Sequence, residues 1–215
     1  VVLCILTLTF VFGTAYGKIN AEYTKNIRMD GTTASTYIEE GTKQQYEKAR
    51  SLGYVRETGR RMKMGETAIC SIQVLDQTAW EKMMKPAYTG IHGTYPEKQQ
   101  EIMLPVKTLK KLGIDNPKRG MKIALDVSIS FFQMEKEEFE LSGWYSAYTE
   151  DNGKSKAIGY VSEKKLKDWG YDIEEDSDIL ICQSNDMDWK DTEEKLYEDV
   201  PMKDNSQQII ATDTA

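Results

Sequence analysis

From Val1 to Phe12 only Thr7 and Thr9 interrupt an apolar run, and no charged residue appears before Lys18. At about 1.5 Å per helical residue, residues 1–17 reach roughly 25 Å, a little short of the ~30 Å hydrocarbon core of a bilayer. The pattern predicts the end of a transmembrane helix over 1–17. A start at Val, with no basic leader, reads as a fragment whose beginning lies upstream. The competing reading is a signal-peptide core, with the small residues Ala15 and Gly17 at a cleavable spacing. Past Gly17, Ile19, Tyr23 and Ile27 recur every four residues and no glycine or proline intervenes until Gly31, which predicts a helical stalk over 18–30. The same three residues also fit an N-terminal helix packed on its own core.

Three shorter helices are marked at their ends. Thr42 to Leu52, Val106 to Leu112 and Ser162 to Trp169 are each followed by a glycine and then an apolar residue: Gly53-Tyr54, Gly113-Ile114 and Gly170-Tyr171. Glycine takes the left-handed terminal conformation and the next apolar side chain folds back on the last turn. Thr42 with Gln45 makes a capping box, Pro105 suits a helix start and Ser162 an N-cap. Strands are predicted for Thr33–Glu39, Tyr54–Met64, Ala68–Leu75 and Ile179–Cys182. A hairpin is predicted from the alternation of Ile123, Leu125, Val127, Ile129 and Phe131, a polar link Met134–Glu138, and Phe139, Leu141, Gly143 and Tyr145. Asp151-Asn152-Gly153 is a turn before a strand from Ile158 to Val161. The first strand, the Thr42 helix and the Tyr54 strand form a β-α-β unit, and Tyr160, the Ser162 helix and Ile179 a second. The class is α+β: a β-α-β-rich lobe, 31–75 and 153–215, with a mainly β lobe inserted at 76–152.

Charge adds one constraint. The 215 residues carry a formal −7, but residues 1–160 hold 22 basic and 19 acidic side chains, against 6 and 16 in residues 161–215. No basic field exists to collect nucleic acid, and the acidic quarter reads as solvated surface. Its stretches Asp172–Asp178 and Asp186–Asp199 lack the loop order and glycine of a calcium-binding EF-hand.

Chemistry is sparse. Phosphate-loop, dinucleotide, nucleophile-elbow and zinc-protease motifs are all missing, so no nucleotide cofactor and no enzymatic activity are expected. His92 lies in a loop of turn formers, Thr89 to Pro96, as a surface or turn-packing residue; a secreted hydrolase would need a catalytic partner for it that spacing does not supply. Cys4 falls in the apolar helix. Cys70 and Cys182 fall in predicted strands, as buried thiols or, more sharply, as a disulfide. Trp80, Trp144, Trp169 and Trp189 read as packing residues or as a partner surface.

Gly93-Thr94-Tyr95-Pro96-Glu97-Lys98, Glu101-Ile102-Met103-Leu104-Pro105, Leu109-Lys110-Lys111-Leu112-Gly113-Ile114 and Pro117-Lys118-Arg119-Gly120-Met121-Lys122-Ile123 follow one another behind the apolar segment. Phe139-Glu140-Leu141-Ser142-Gly143-Trp144-Tyr145 and Gly159-Tyr160-Val161-Ser162 come later. In this order they resemble the extracytoplasmic domain of FtsX-like ABC-transporter permeases, with its MacB-type periplasmic core, in the Gram-positive flavour. The resemblance implies a porter-like lobe with an inserted smaller lobe, between the first and second of four membrane helices, outside the cell membrane. It also implies a cytoplasmic ABC ATPase partner, a permease homo- or heterodimer, and export of a peptide, lipid or protein cargo or mechanotransmission. Ile19, Tyr23 and Ile27 would then form the coupling stalk. The alternative is a secreted or surface-tethered binding domain released by cleavage near Gly17.

Overall fold

The computed structural model describes residues 2–130, 133–153 and 156–212; Phe131 of the predicted hairpin, Val1 and 213–215 lie outside them. One long helix, α1 (Val2–Asp30), precedes a mixed ten-stranded sheet. The class is α+β, as the sequence predicts.

The first part of the sheet is built from β1 (Thr36–Gly41), α2 (Lys43–Arg50), β2 (Val55–Glu66), β9 (Ser177–Gln183), α6 (Trp189–Asp199) and β10 (Ile209–Ala211). Strand β9 lies between β1 and β2, antiparallel to both, and β1 lies between β9 and β10, again antiparallel to both. Two split β-α-β units, β1-α2-β2 and β9-α6-β10, therefore interleave in the order β10-β1-β9-β2; the unit predicted from Tyr160, the Ser162 helix and Ile179 is not one of them, since the strand of Tyr160 pairs elsewhere in the sheet. The sheet continues through β3 (Ser71–Leu75), β8 (Ile158–Val161), β5 (Glu101–Pro105), β7 (Gln133–Ala147) and β4 (Tyr88–Gly93). Strand β6 (Lys122–Ser130) forms the predicted antiparallel hairpin with β7 and touches β2 at the Glu66–Ser128 pair. Helices α3 (Val106–Lys111), α4 (Tyr148–Asp151) and α5 (Glu163–Asp168) complete the chain.

Register assigns the two faces, because paired residues point the same way and successive ones alternate. One face carries Ile38, Ile179 and Ile181 under α2 and α6, with Ala49, Leu196 and Val200 filling the contact. Farther along it, Met62, Val74, Ile72, Ile102 and Val161 pack with Leu109 of α3, Leu166 of α5 and the hairpin's Leu125, Val127 and Phe139. The opposite face carries Leu180, Cys182, Leu75, Tyr160 and Met103 beneath a π-helical turn, Ala79–Met84, a 3₁₀ turn, Lys85–Ala87, and the last turn of α1.

Local sequence explains most element boundaries. Thr42 and Gln45 form the reciprocal capping box of α2, and the Ser162 hydroxyl accepts from the Lys165 N–H. Gly113 and Gly170 take positive φ (77° and 86°), and the N–H groups of Ile114 and Tyr171 return to the carbonyls of Leu109 and Leu166. Gly53 departs from this pattern: α2 stops at Arg50 with a right-handed Ser51 cap, and Val55 closes a separate turn onto Leu52. The polar stretch expected as a link, Met134–Glu138, instead lies within β7; it pairs with β6 and is met by the Lys122–Glu138 ion pair. The acidic stretch 186–199 is mostly α6, capped by Asp188, whose carboxylate accepts from the Asp191 N–H. Asp178 is not solvated either: it is buried and held by Arg61 (2.8 Å) and Lys63 (3.2 Å). No helix among the described residues is long and apolar enough to cross a membrane, α1 included.

Gly59 of β2 is the point where the π-helical turn rests on the sheet: a Cβ there would stand 2.7 Å from the Ala79 nitrogen. Gly59→Ala is therefore expected to cost about 1–3 kcal/mol through overpacking against backbone, read as a lowered denaturation midpoint. Gly53→Ala, with open space around it, is expected to be neutral or stabilising by up to about 1 kcal/mol.

Candidate functional site

Helix α1 runs unbroken through Gly17 and projects from the fold. Ile19 and Tyr23 are 69% and 53% exposed, and Ile27 only 9%. Of the three predicted stalk residues, Ile27 alone enters the core, among Trp80, Met83, Met84, Ala87 and Tyr88. Gly31 ends the helix in the left-handed conformation (φ 76°), its N–H returning to the Ile27 carbonyl at 2.9 Å.

The residues after it are stitched down one by one. Thr33 donates its N–H to the Met83 carbonyl and its hydroxyl to the Lys82 carbonyl, both at 2.9 Å. The Cys182 thiol donates to the Thr33 carbonyl at 3.2 Å, and Ser35 donates its N–H to Ile181 of β9. At the other end of the chain, Thr212 donates its N–H to the Ser35 carbonyl at 2.8 Å. The segment that follows α1 and residue 212 thus meet at the same spot.

Under this joint lies a nest of aromatic rings. Tyr88 stacks on Tyr145 (4.2 Å), Trp80 meets Tyr160 edge-on (5.6 Å) and lies 4.9 Å from Tyr95. The Tyr88 and Tyr160 hydroxyls bond to each other, and Tyr145 donates to the Ile158 carbonyl at 2.7 Å. Burial pushes the Tyr88 phenol up to about 12, with the hydrogen bonds from Tyr160 and Tyr145 pulling the other way. Burial first, then the neighbouring phenols, raises Tyr145 and Tyr160 well above the usual tyrosine range. Two clefts flank the nest. One, of about 790 Å³, opens beside Trp80, Tyr95 and the start of α5; the other, of about 640 Å³, lies between residues 29–32, Tyr37, Arg61, Lys63 and the 210–212 end.

No protein family and no curated protein matches the chain in sequence. Among solved structures, the periplasmic region of MacB from Actinobacillus actinomycetemcomitans superposes with a TM-score of 0.53 at 12% identity, covering 88% of this chain and 93% of that one. The chain has the fold of that periplasmic region. The extracellular domain of the noncanonic ABC-type transporter YknZ from Gram-positive bacteria is also similar, at TM-score 0.47 and 9% identity, covering 82% of this chain and 98% of that one.

The remaining candidates separate. His92 lies not in a loop but in the edge strand β4, stacked on Trp144 at 5.3 Å; the glycines around it, Gly90 and Gly93, give the strand its turn-like composition. Cys70 and Cys182 are buried free thiols in different clusters, Cys70 bonded to Thr67. Trp80 is buried, Trp144, Trp169 and Trp189 half-buried. No group of three metal-ligating side chains forms among the described residues. Sequence reasoning missed the joint's polar residues, Thr33, Ser35 and Thr212, because each partner lies far along the chain; Tyr145 and Tyr160 fall in predicted strands, but nothing local brings the tyrosines of the nest together.

The tyrosines set a pH limit. Their folded pKa values exceed the unfolded value of ~10, so above that pH the native state holds protons that the unfolded state has released. Stability is expected to be level with respect to these groups below pH ~10 and to fall by about 1.4 kcal/mol per pH unit per tyrosine as pH rises towards 12. Tyr88→Phe should cost about 1–2 kcal/mol at neutral pH by orphaning the Tyr160 hydroxyl, and should make the alkaline decline shallower, as read by denaturant titrations at pH 9 and 11.

Proposed function

We propose that the chain is the extracytoplasmic domain of an ABC-transporter permease, in which the uncharged half of α1 is embedded in the cell membrane. The observation that carries this reading is the joint: an exposed apolar helix enters the fold at a hydrogen-bonded corner, and residue 212, far along the chain, is bonded into the same corner. A domain hung between two neighbouring membrane helices needs that arrangement. The MacB-like fold supports it, as does the row of large exposed apolar side chains at Ile5, Leu6, Leu8, Phe10, Val11 and Phe12, which water would penalise and lipid would not.

In this reading, residues 18–30 act as a lever. A cytoplasmic ABC ATPase hydrolyses ATP, the membrane helix moves, and continuous hydrogen bonding along α1 carries the displacement to Ile27 and so to the π-helical turn. Ile19 and Tyr23 stand clear of the core and lie on the free part of the lever. Paired domains, 31–75 with 153–215 as one lobe and 76–152 as the other, would open or close around a peptide, lipid or protein cargo, or pass the force to a partner outside.

A proline at Tyr23 removes a helical hydrogen bond and kinks the helix at a cost of ~3 kcal/mol, in a stretch that does not contribute to the core. Tyr23→Pro is expected to leave the domain's thermal unfolding unchanged and ATP hydrolysis by the partner intact while abolishing transport. Undiminished transport would overturn the lever. Recovery of the mature protein without its apolar segment, measured by intact mass, would overturn the membrane assignment itself.

A further inference from the structure

The membrane reading leaves open how the head sits relative to the bilayer, and the surface around α1 answers it. Tyr148, 48% exposed on α4, forms the fold-side wall of a groove of about 550 Å³ along α1, whose helical wall runs from Gly17 to Met29. Gly17 is the last residue of the uncharged segment, so Tyr148 is the side chain of the fold that shares a groove with the start of the charged half of α1.

Lys25 and Arg28 line that same groove. Beside α4, a second cavity is lined by Lys107 and Lys110 of α3, with the Lys107 ammonium donating to the Glu150 carbonyl at 2.8 Å. α1, α4 and α3 therefore share one continuous surface. Its cationic side chains are Lys25 and Arg28 of α1 and Lys107, Lys110 and Lys111 of α3, in a protein that carries −7. Lys25, Arg28, Lys110 and Lys111 are exposed, and none makes an ion pair with a carboxylate among the described residues. Elsewhere on the surface lysines occur both paired, as Lys43, Lys156 and Lys203 at 2.6–2.7 Å, and singly, as Lys48 and Lys82. The carboxylates on or beside this surface are Glu22, Asp30 and Glu150, and α4 ends at a further acidic residue, Asp151.

We infer that this face, Tyr148 with Lys25, Arg28, Lys110 and Lys111, docks the head directly onto anionic lipid headgroups. The inference rests on the embedding of α1 and adds an orientation to it. Unpaired ammonium and guanidinium groups near a negatively charged leaflet each favour the docked state by about fivefold, and an exposed tyrosine suits the headgroup layer, with its ring towards the acyl chains and its hydroxyl in water. An exposed phosphate-bearing lipid surface matches both features at once.

The test uses the full chain, with Cys4→Ser, carrying a donor dye on Asn152→Cys just beyond α4; Cys70 and Cys182 are buried and do not label. The protein is incorporated into vesicles of phosphatidylcholine alone or with about 30% phosphatidylglycerol, each containing a headgroup-linked acceptor. Energy transfer should be higher with phosphatidylglycerol and fall to the phosphatidylcholine level at about 1 M salt, where the screening length is ~3 Å. It should also fall in Lys25→Gln/Arg28→Gln/Lys110→Gln/Lys111→Gln, whose docked-to-free ratio is expected to drop by at least about a hundredfold. A charge-matched control, Lys43→Gln/Lys164→Gln/Lys167→Gln/Lys203→Gln, should behave as the parent. Transfer indifferent to lipid charge, salt and the first variant, in protein that floats with the vesicles, would overturn the docking; so would equal loss in the control. Failure of the parent to float at high salt would instead overturn the embedding of α1.

Discussion

The fold closes only when β9 slides between β1 and β2. Those two strands are joined by α2, yet lie one strand apart, each presenting a free row of backbone donors and acceptors to the gap. Unfilled, the gap would leave a buried polar ladder without partners, a cost no side-chain packing here could offset. β9 is suited to it: from Ser177 to Cys182 every residue is buried. Its two charged neighbours are also satisfied within the fold, Asp178 by Arg61 and Lys63, and Arg60 by the carbonyls of Ile173 and Glu174 and the Ser177 hydroxyl. Everything between residues 66 and 177, six strands of the same sheet among it, must therefore fold so that β9 comes back into this gap in register.

That requirement accounts for the corner where α1 meets the sheet. Cys182 and Ile181, near the end of β9, are the groups that hold Thr33 and Ser35. The strand that completes the sheet thus also fixes the direction in which the helix departs. Ile27 adds an apolar contact to the same place, and the π-helical turn grips the segment from the other side through Met83 and Lys82. A helix anchored by several independent hydrogen bonds and one buried side chain has little freedom to pivot at its base.

Helix ends were legible where a local rule is complete, as at Thr42–Gln45, Gly113–Ile114 and Gly170–Tyr171, since all the atoms involved lie within six residues. Gly53 misled because the chain turns twice there, and the glycine belongs to the second turn. The hairpin was readable from Ile123 to Leu141 except over Met134–Glu138, where pairing with β6 and cross-strand charge replace hydrophobic alternation. Helix α6 was hidden in its own acidity: only Leu196 and Val200 mark its buried side, and the capping role of Asp188 looks like one more carboxylate. The interleaving of the two β-α-β units could not be read at all, since nothing near β2 announces that its partner lies more than a hundred residues downstream. Of the site, the projecting helix and its end at Gly31 were visible; the exposure of Ile19 and Tyr23, and the seam at Thr33, Ser35 and Thr212, depend on tertiary contacts.

The short terminal strand β10 has a mechanical meaning. It runs antiparallel to β1, with Thr36 opposite Ala211, so the first residue of one strand sits beside the last of the other. A pull that draws residue 36 away from residue 211 would load the ladder at its open end and release its bonds in succession, like a zip fastener, where a shearing load would have to break them together. Three residue pairs can be peeled in this way before α6 takes the strain, which gives the molecule a soft first extension ahead of a stiff one.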